Sequence, residues 1–207
     1  MQPLDIVFYI AILIMSVILH ELAHGWAAYY YGDNTAKFAG RLSINPIKHL
    51  DMFGSVIVPL TLIVLHAGFL VGWAKPVPIN ERNFTKKKEG LFVVSIAGIL
   101  ANIFIAVVFT VILRVGIALD FTNPGFLLIT STIIFTNLIL GFFNLMPIPP
   151  LDGSKILLSL LPGNTSHLQY IFDKYGLLMA IFFIVFIWDK IVPVVFWLYQ
   201  VLTGLNF

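Results

Sequence analysis

An apolar run over residues 6–31 carries three ionisable side chains, His20, Glu21 and His24, near its C-terminal end. An apolar stretch of roughly 20 residues is long enough to cross a bilayer as a helix. Ionisable groups are costly inside such a helix and usually mark a functional site. The run therefore predicts a membrane protein whose first helix keeps polar groups for a chemical purpose.

The composition also indicates an integral membrane protein. Hydrophobic residues make up 59% of the 207 residues, whereas soluble domains contain about 45–50% apolar residues. Charged residues make up 11%, whereas soluble domains contain about 25%. Further apolar runs cover residues 54–73, 91–119, 126–146 and 176–204. We predict an all-α membrane protein, a polytopic bundle of about five to six transmembrane or re-entrant helices in a single membrane-embedded domain over residues 1–207. The polar segment after the first run leaves room for a short β-hairpin near residues 35–48.

Charge and cysteine content exclude several classes of function. The net charge is only +2, and no basic strip is interleaved with aromatic residues, so nucleic acid is not an expected partner. The chain has no cysteine, which excludes disulfides, thiolate metal ligands and a cysteine nucleophile.

The stretch from His20 to His24 reads His-Glu-x-x-His, a zinc-site pattern when it lies on a helix. Residues four apart lie on one helix face, so the two histidines can converge on one ion. Glu21 is adjacent to the first ligand and can take a proton from the water that zinc activates. The alternative is a chance triplet, which the scarcity of charge in this run disfavours.

A catalytic zinc usually takes a third protein ligand. Asp152 follows the proline-rich stretch NLMPIPPLDG, residues 144–153, at the end of an apolar run. Prolines break a helix, and Gly153 allows a sharp turn, so the carboxylate could point into a protein-lined cavity. Asp152 could instead cap a helix that begins near Ser154. The other candidates are loop carboxylates and the histidines His49, His66 and His167.

The two motifs together resemble those of the site-2 protease family of intramembrane zinc metalloproteases. HELAH at residues 20–24 is similar to the family's His-Glu-x-x-His, and residues 144–153 are similar to its Asn-x-x-Pro-x-Pro-x-x-Asp-Gly. GRLSINP (40–46) and GWAKPVPIN (72–80) are also similar to segments of its small bacterial members, which lack PDZ and CBS domains. The resemblance extends over most of residues 15–160.

The resemblance implies a membrane-embedded metalloprotease domain with one Zn²⁺ per chain, held by His20, His24 and Asp152. It implies that Glu21 is the catalytic base and that the substrate is a transmembrane segment of another membrane protein. The alternative is a non-proteolytic zinc-binding membrane protein, either a metal transporter or an inactive regulator. The few intramembrane carboxylates disfavour a transporter, and the presence of Glu21 disfavours an inactive regulator.

Two asparagines are further site candidates. The family often has Gly-Pro-x-x-Asn in a core helix, whereas this chain has Ile99 in place of the proline and keeps Asn102. The resemblance implies that Asn102 faces the active site, but it could equally make an interhelical hydrogen bond. Asn144 could donate to a developing oxyanion or satisfy carbonyls that Pro147 and Pro149 leave free.

Lysine and arginine set the predicted orientation. They concentrate in residues 32–53 and 74–90 and are absent from the N-terminal tail. The positive-inside rule then places the N-terminus outside a bacterial or archaeal cell membrane and the active site toward the cytoplasm. Because both basic segments must share one side, we expect residues 54–80 to enter the membrane and return. The number of C-terminal spans and the oligomeric state stay open.

Overall fold

The structure is a computed structural model that describes residues 3–51, 54, 57, 61, 75–163 and 165–205. The described residues form seven α-helices: α1 (Pro3–Tyr30), α2 (Thr35–Phe38), α3 (Lys87–Ala118), α4 (Pro124–Leu145), α5 (Asp152–Leu160), α6 (Ser166–Phe186) and α7 (Trp188–Thr203). Two 3₁₀ turns lie at Pro46–His49 and Glu81–Asn83.

Four of these helices are long and apolar enough to cross a membrane: α1 over Val7–Tyr30, α3, α4 and α6. The described ranges contain no β-strand. The prediction of an all-α polytopic bundle is therefore confirmed. The 21 residues of α6 give the first of the two C-terminal apolar stretches the length that a crossing needs.

The hairpin suggested for residues 35–48 is wrong, since that stretch holds α2 and the start of a 3₁₀ turn. Short polar side chains explain the difference. The Thr35 backbone N–H donates to Asp33 Oδ1, and the Ile47 N–H donates to Asn45 Oδ1. Such local side-chain bonds favour helical turns over strand pairing.

Helix α3 is the centre of the bundle and packs against α1, α4 and α5. The C-terminal half of α3 packs with α4 and α7. Together they form an apolar core of Ala106, Leu113, Ile134, Leu138, Val195 and Tyr199. The helix continues unbroken through Ile99, which is itself buried. This chain has Ile99 where the site-2 protease family often has proline, and α3 is regular at that position. Asn102, on the same helix, contacts His20 of α1.

A segment that we call the strap, residues 75–85, lies beside the polar end of α1. Most of the stretch expected to be re-entrant, 54–80, is outside the described residues. The hydrogen bonds that hold the strap include Arg41 Nη2 to the Lys75 carbonyl (2.6 Å), the Val77 N–H to Glu21 Oε2 (2.7 Å), the Asn80 N–H to Asp33 Oδ2 (2.7 Å) and the Thr85 N–H to the Tyr31 carbonyl (2.9 Å).

Asp33 is fully buried and joins α1, α2 and the strap. It accepts hydrogen bonds from Thr35, from the Asn80 N–H and from Asn83 Nδ2. Burial by itself would raise the pKa of the Asp33 carboxyl, but these donors outweigh burial and hold the pKa below its ordinary value. The ionised carboxylate therefore stabilises the folded state at neutral pH.

Asp33→Asn should lower the free energy of unfolding by about 1–3 kcal/mol at pH 7, because a buried carboxylate loses charge-assisted bonds. The depressed pKa means that this stabilisation is present above the ordinary value of about 4 and is lost as pH falls through the folded value. Thermal unfolding in detergent at several pH values measures it. Asp173→Asn, at an exposed position of α6, is the control, and an equal effect there would contradict the prediction.

Candidate metal centre

Three ligand-type side chains meet between α1 and the start of α5. The His20 Nε2 and His24 Nε2 atoms are 2.9 Å apart, and each lies 3.1 Å from Asp152 Oδ2. Among the described residues this is the cluster of three or more His, Asp or Glu side chains that could hold a metal ion. The structure thus brings together the three residues that the sequence proposed as ligands.

Local chain geometry explains the meeting. His20 and His24 are one turn apart on α1, and α4 ends at Leu145 before the proline-rich stretch. A side chain at Gly153 would collide with the backbone carbonyl oxygens of Leu145 and Met146, so glycine lets α5 begin directly against the end of α4. Asp152 is the first residue of α5, after the cap residue Leu151, and its carboxylate faces the histidines.

The second nitrogen of each imidazole has its own partner. His24 Nδ1 is 2.6 Å from the Val94 carbonyl oxygen, and His20 Nδ1 is 2.5 Å from Asn102 Oδ1. These oxygens accept, so each Nδ1 carries the hydrogen and each neutral imidazole presents a lone pair at Nε2. Such bonds to the distal nitrogen are typical of metal-binding histidines.

The converging atoms therefore fit a cation. Two imidazole lone pairs and a carboxylate oxygen at about 3 Å would repel one another without a positive charge between them. Asp152 Oδ2 is buried and has no hydrogen-bond donor among the described groups. Two histidines and one carboxylate are also a ligand set that catalytic zinc uses, with one position left for water.

Gly98 leaves space for the imidazoles on the α3 side. A Cβ atom there would overlap His24 Nε2 and would lie 2.6–2.7 Å from Cε1 and Nε2 of His20. Any larger residue would displace the two rings from their positions, because the interfering atoms belong to the two imidazoles themselves.

Glu21 lies in the same cavity as the three ligand-type residues. The cavity has a volume of about 200 Å³, and Asn144, Glu81 and Lys155 also line it. Glu21 is half-buried, and its Oε2 accepts a hydrogen bond from the Val77 N–H of the strap. The strap thus fixes the carboxylate beside the cluster.

The other sequence candidates are also placed. Asn102 is fully buried, and it contacts Nδ1 of His20 and donates from Nδ2 to Asn137 Oδ1 of a neighbouring helix. Asn144 Nδ2 donates to the Leu140 carbonyl, one turn back in α4, rather than to a carbonyl freed by proline. His49 is buried and contacts the Ser43 carbonyl, His167 is exposed on α6, and His66 is outside the described residues.

Sequence reasoning missed the backbone groups of Val77 and Val94, which carry no residue-specific signal. It also missed Gly98 as the space for the imidazoles and Asn137 as a partner of Asn102. Asn137 was detectable in principle, because it is an amide within the apolar run 126–146, and polar residues there tend to bond neighbouring helices.

The chain matches the model of peptidase family M50 over residues 8–122 and 119–187. It is 40% identical over 191 residues to the putative zinc metalloprotease YwhC of Bacillus subtilis, covering 89% of this chain and 83% of that protein. It is 30% identical over 175 residues to the putative zinc metalloprotease Rip2 of Mycolicibacterium smegmatis, covering 81% and 62%.

A more distant relative is the zinc metalloprotease MJ0392 of Methanocaldococcus jannaschii, 28% identical over 158 residues, which make up 76% of this chain and 35% of that protein. No solved structure matches the chain.

Proposed function

The chain belongs to peptidase family M50, and we propose that it cleaves transmembrane segments of other membrane proteins at one zinc site. It is an integral membrane zinc metalloendopeptidase of the site-2 protease type. We treat residues 1–207 as a single membrane-embedded metalloprotease domain.

One observation carries the proposal: His20, His24 and Asp152 converge at the wall of a cavity that Glu21 shares. The two histidines and Glu21 belong to α1, which is long enough to cross a membrane. A water-using site on such a helix suits a substrate whose peptide bond also lies in the membrane.

The three converging atoms would hold the metal: Nε2 of His20, Nε2 of His24 and Oδ2 of Asp152. When bound, zinc polarises the scissile carbonyl and lowers the pKa of water so that hydroxide is available at neutral pH. The chain's own contribution is to hold the two histidines with their Nε2 lone pairs turned inward.

Glu21 acts as the general base. Its carboxylate takes a proton from the attacking water and later delivers it to the leaving amine. The Val77 N–H holds Oε2 in place, so the base has a fixed position before substrate arrives. We also propose that Asn144, on the cavity wall, donates to the carbonyl oxygen of the scissile bond as negative charge develops there.

The substrate must unwind locally, because a transmembrane helix keeps its carbonyls in internal hydrogen bonds. An extended substrate strand could then pair with an extended edge of the protease. We propose that residues 75–80 of the strap offer such an edge beside the cavity, although Pro76 and Pro78 limit its donors.

We propose that the N-terminus faces outward from a bacterial cell membrane and that the site opens toward the cytoplasm. The basic residues support this orientation, and the Bacillus relative supports a bacterial origin. Cysteines placed at Lys37 and Lys86 should react with an impermeant thiol reagent only after the cytoplasmic face is exposed. Labelling of position 86 in intact cells would contradict the orientation.

Glu21→Gln should retain zinc and lose cleavage, since it removes the base and leaves the three ligands. A positioned general base contributes about 10²- to 10⁴-fold in rate. Fragments of membrane proteins in native membranes and bound zinc are measured together in wild type and variant. Substrates should accumulate uncleaved in the variant, and Glu89→Gln, at the exposed Lys86 ion pair, should cleave normally.

If Glu21→Gln keeps its zinc and produces the wild-type fragments, Glu21 is not the base. If neither wild type nor variant changes any membrane protein while both bind zinc, the non-proteolytic alternative is favoured instead.

A further inference from the structure

We propose that Asn137 is a positioning residue that sets the tautomer of His20 by holding Asn102 in one orientation. The inference deepens the proposed function, since it rests on the metal site described above. Asn137 is neither one of the three converging side chains nor one of the residues that line the cavity.

The contacts form a chain across three helices. His20 Nδ1 of α1 is 2.5 Å from Asn102 Oδ1 of α3. Asn102 Nδ2 is 3.0 Å from Asn137 Oδ1 of α4. Asn137 Nδ2 is 2.9 Å from the Ile133 carbonyl and 2.9 Å from Ser16 Oγ. Asn102 and Asn137 are both fully buried.

The direction of every bond follows from the Ile133 carbonyl. A backbone carbonyl can only accept, so the side of Asn137 that faces it must be the NH₂ group. Asn137 Oδ1 then faces Asn102, and the group that Asn102 presents must donate. Asn102 Oδ1 is left facing His20, and therefore His20 Nδ1 must carry the hydrogen.

The hydrogen at Nδ1 determines the state of the other ring nitrogen of His20, Nε2. A neutral imidazole has one N–H, so a hydrogen at Nδ1 leaves a lone pair at Nε2, the nitrogen that faces His24 and Asp152. Without Asn137, Asn102 could turn over and present its NH₂ group to Nδ1. That arrangement favours the other tautomer, in which a hydrogen at Nε2 prevents metal binding.

Sequence spacing supports the relay. Ser16 and His20 are one turn apart on α1, and Ile133 and Asn137 are one turn apart on α4. Each pair therefore lies on a single face. His24 needs no such relay, because the Val94 carbonyl contacts its Nδ1 directly.

Asn137→Leu, a change of similar volume, should weaken zinc binding by about 10- to 100-fold, the range for residues that orient metal ligands. The zinc dissociation constant of the full chain in detergent is measured by competition with a chelator. Thr132→Val is the control, because Thr132 is buried on the same helix and, among the described groups, its hydroxyl donates only to the Leu128 carbonyl of its own helix. Equal affinities for wild type and Asn137→Leu would overturn the proposal.

Repeating Asn137→Leu in a chain that also carries Asn102→Asp shows whether Asn137 acts by orienting Asn102 or only by packing. Asn102→Asp places an acceptor toward His20 whichever way the side chain turns, and one carboxylate oxygen then opposes Asn137 Oδ1. In that background Asn137→Leu should leave zinc affinity unchanged or improve it. The same fold-loss in both backgrounds would mean that Asn137 acts only through packing, and the proposal would be wrong.

Two readouts keep the failures distinct. A wild-type chain that binds no zinc contradicts the proposed function itself, whereas zinc binding that is insensitive to Asn137→Leu contradicts only the relay. If Asn137→Leu does not give a single gel-filtration peak, Asn137→Ala replaces it, with the same expected loss and the same reversal beside Asn102→Asp.

Discussion

The structure depends on holding three electron-pair donors within about 3 Å of one another. His20, His24 and Asp152 would separate or take up protons unless a cation joined them. The surrounding chain holds these groups close together and turns the Nε2 atoms of the two imidazoles toward Asp152. Carbonyl and amide oxygens keep the hydrogens on the far side of each imidazole, and Gly98 and Gly153 remove the side chains that would push the donors apart.

The proposed metal ligands and the proposed base are held by different parts of the chain. His20, His24 and Asp152 are positioned by α1, α3 and the α4–α5 junction, whereas Glu21 accepts a hydrogen bond from the Val77 N–H of the strap. Asp33, Tyr31 and Arg41 in turn hold the strap against the end of α1. The position of Glu21 thus depends on a segment outside the helical bundle, whereas the positions of His20, His24 and Asp152 depend on contacts within it.

How much of this could be predicted from the sequence differs from residue to residue. The clustering of His20, Glu21 and His24 could be predicted because their relation is local, within one turn of one helix. The proline and glycine residues around Asp152 left its role open between a ligand and a helix cap, and the resemblance to the site-2 protease family favoured the ligand. Gly98 and Asn137 act through contacts between helices distant in sequence, and Val77 and Val94 act through backbone atoms. The hairpin suggested near residues 35–48 failed because Asp33 and Asn45 bond the following backbone and favour helical turns.

The zinc content per chain of the purified, detergent-solubilised protein, measured for wild type and for Asp152→Ala, tests whether the three side chains form a metal site. We expect one zinc per wild-type chain and a content far below one for the variant, because two imidazoles alone do not complete the ligand set. A wild-type chain free of zinc under zinc-replete conditions, or an Asp152→Ala chain that retains a full equivalent, would contradict the metal centre described here.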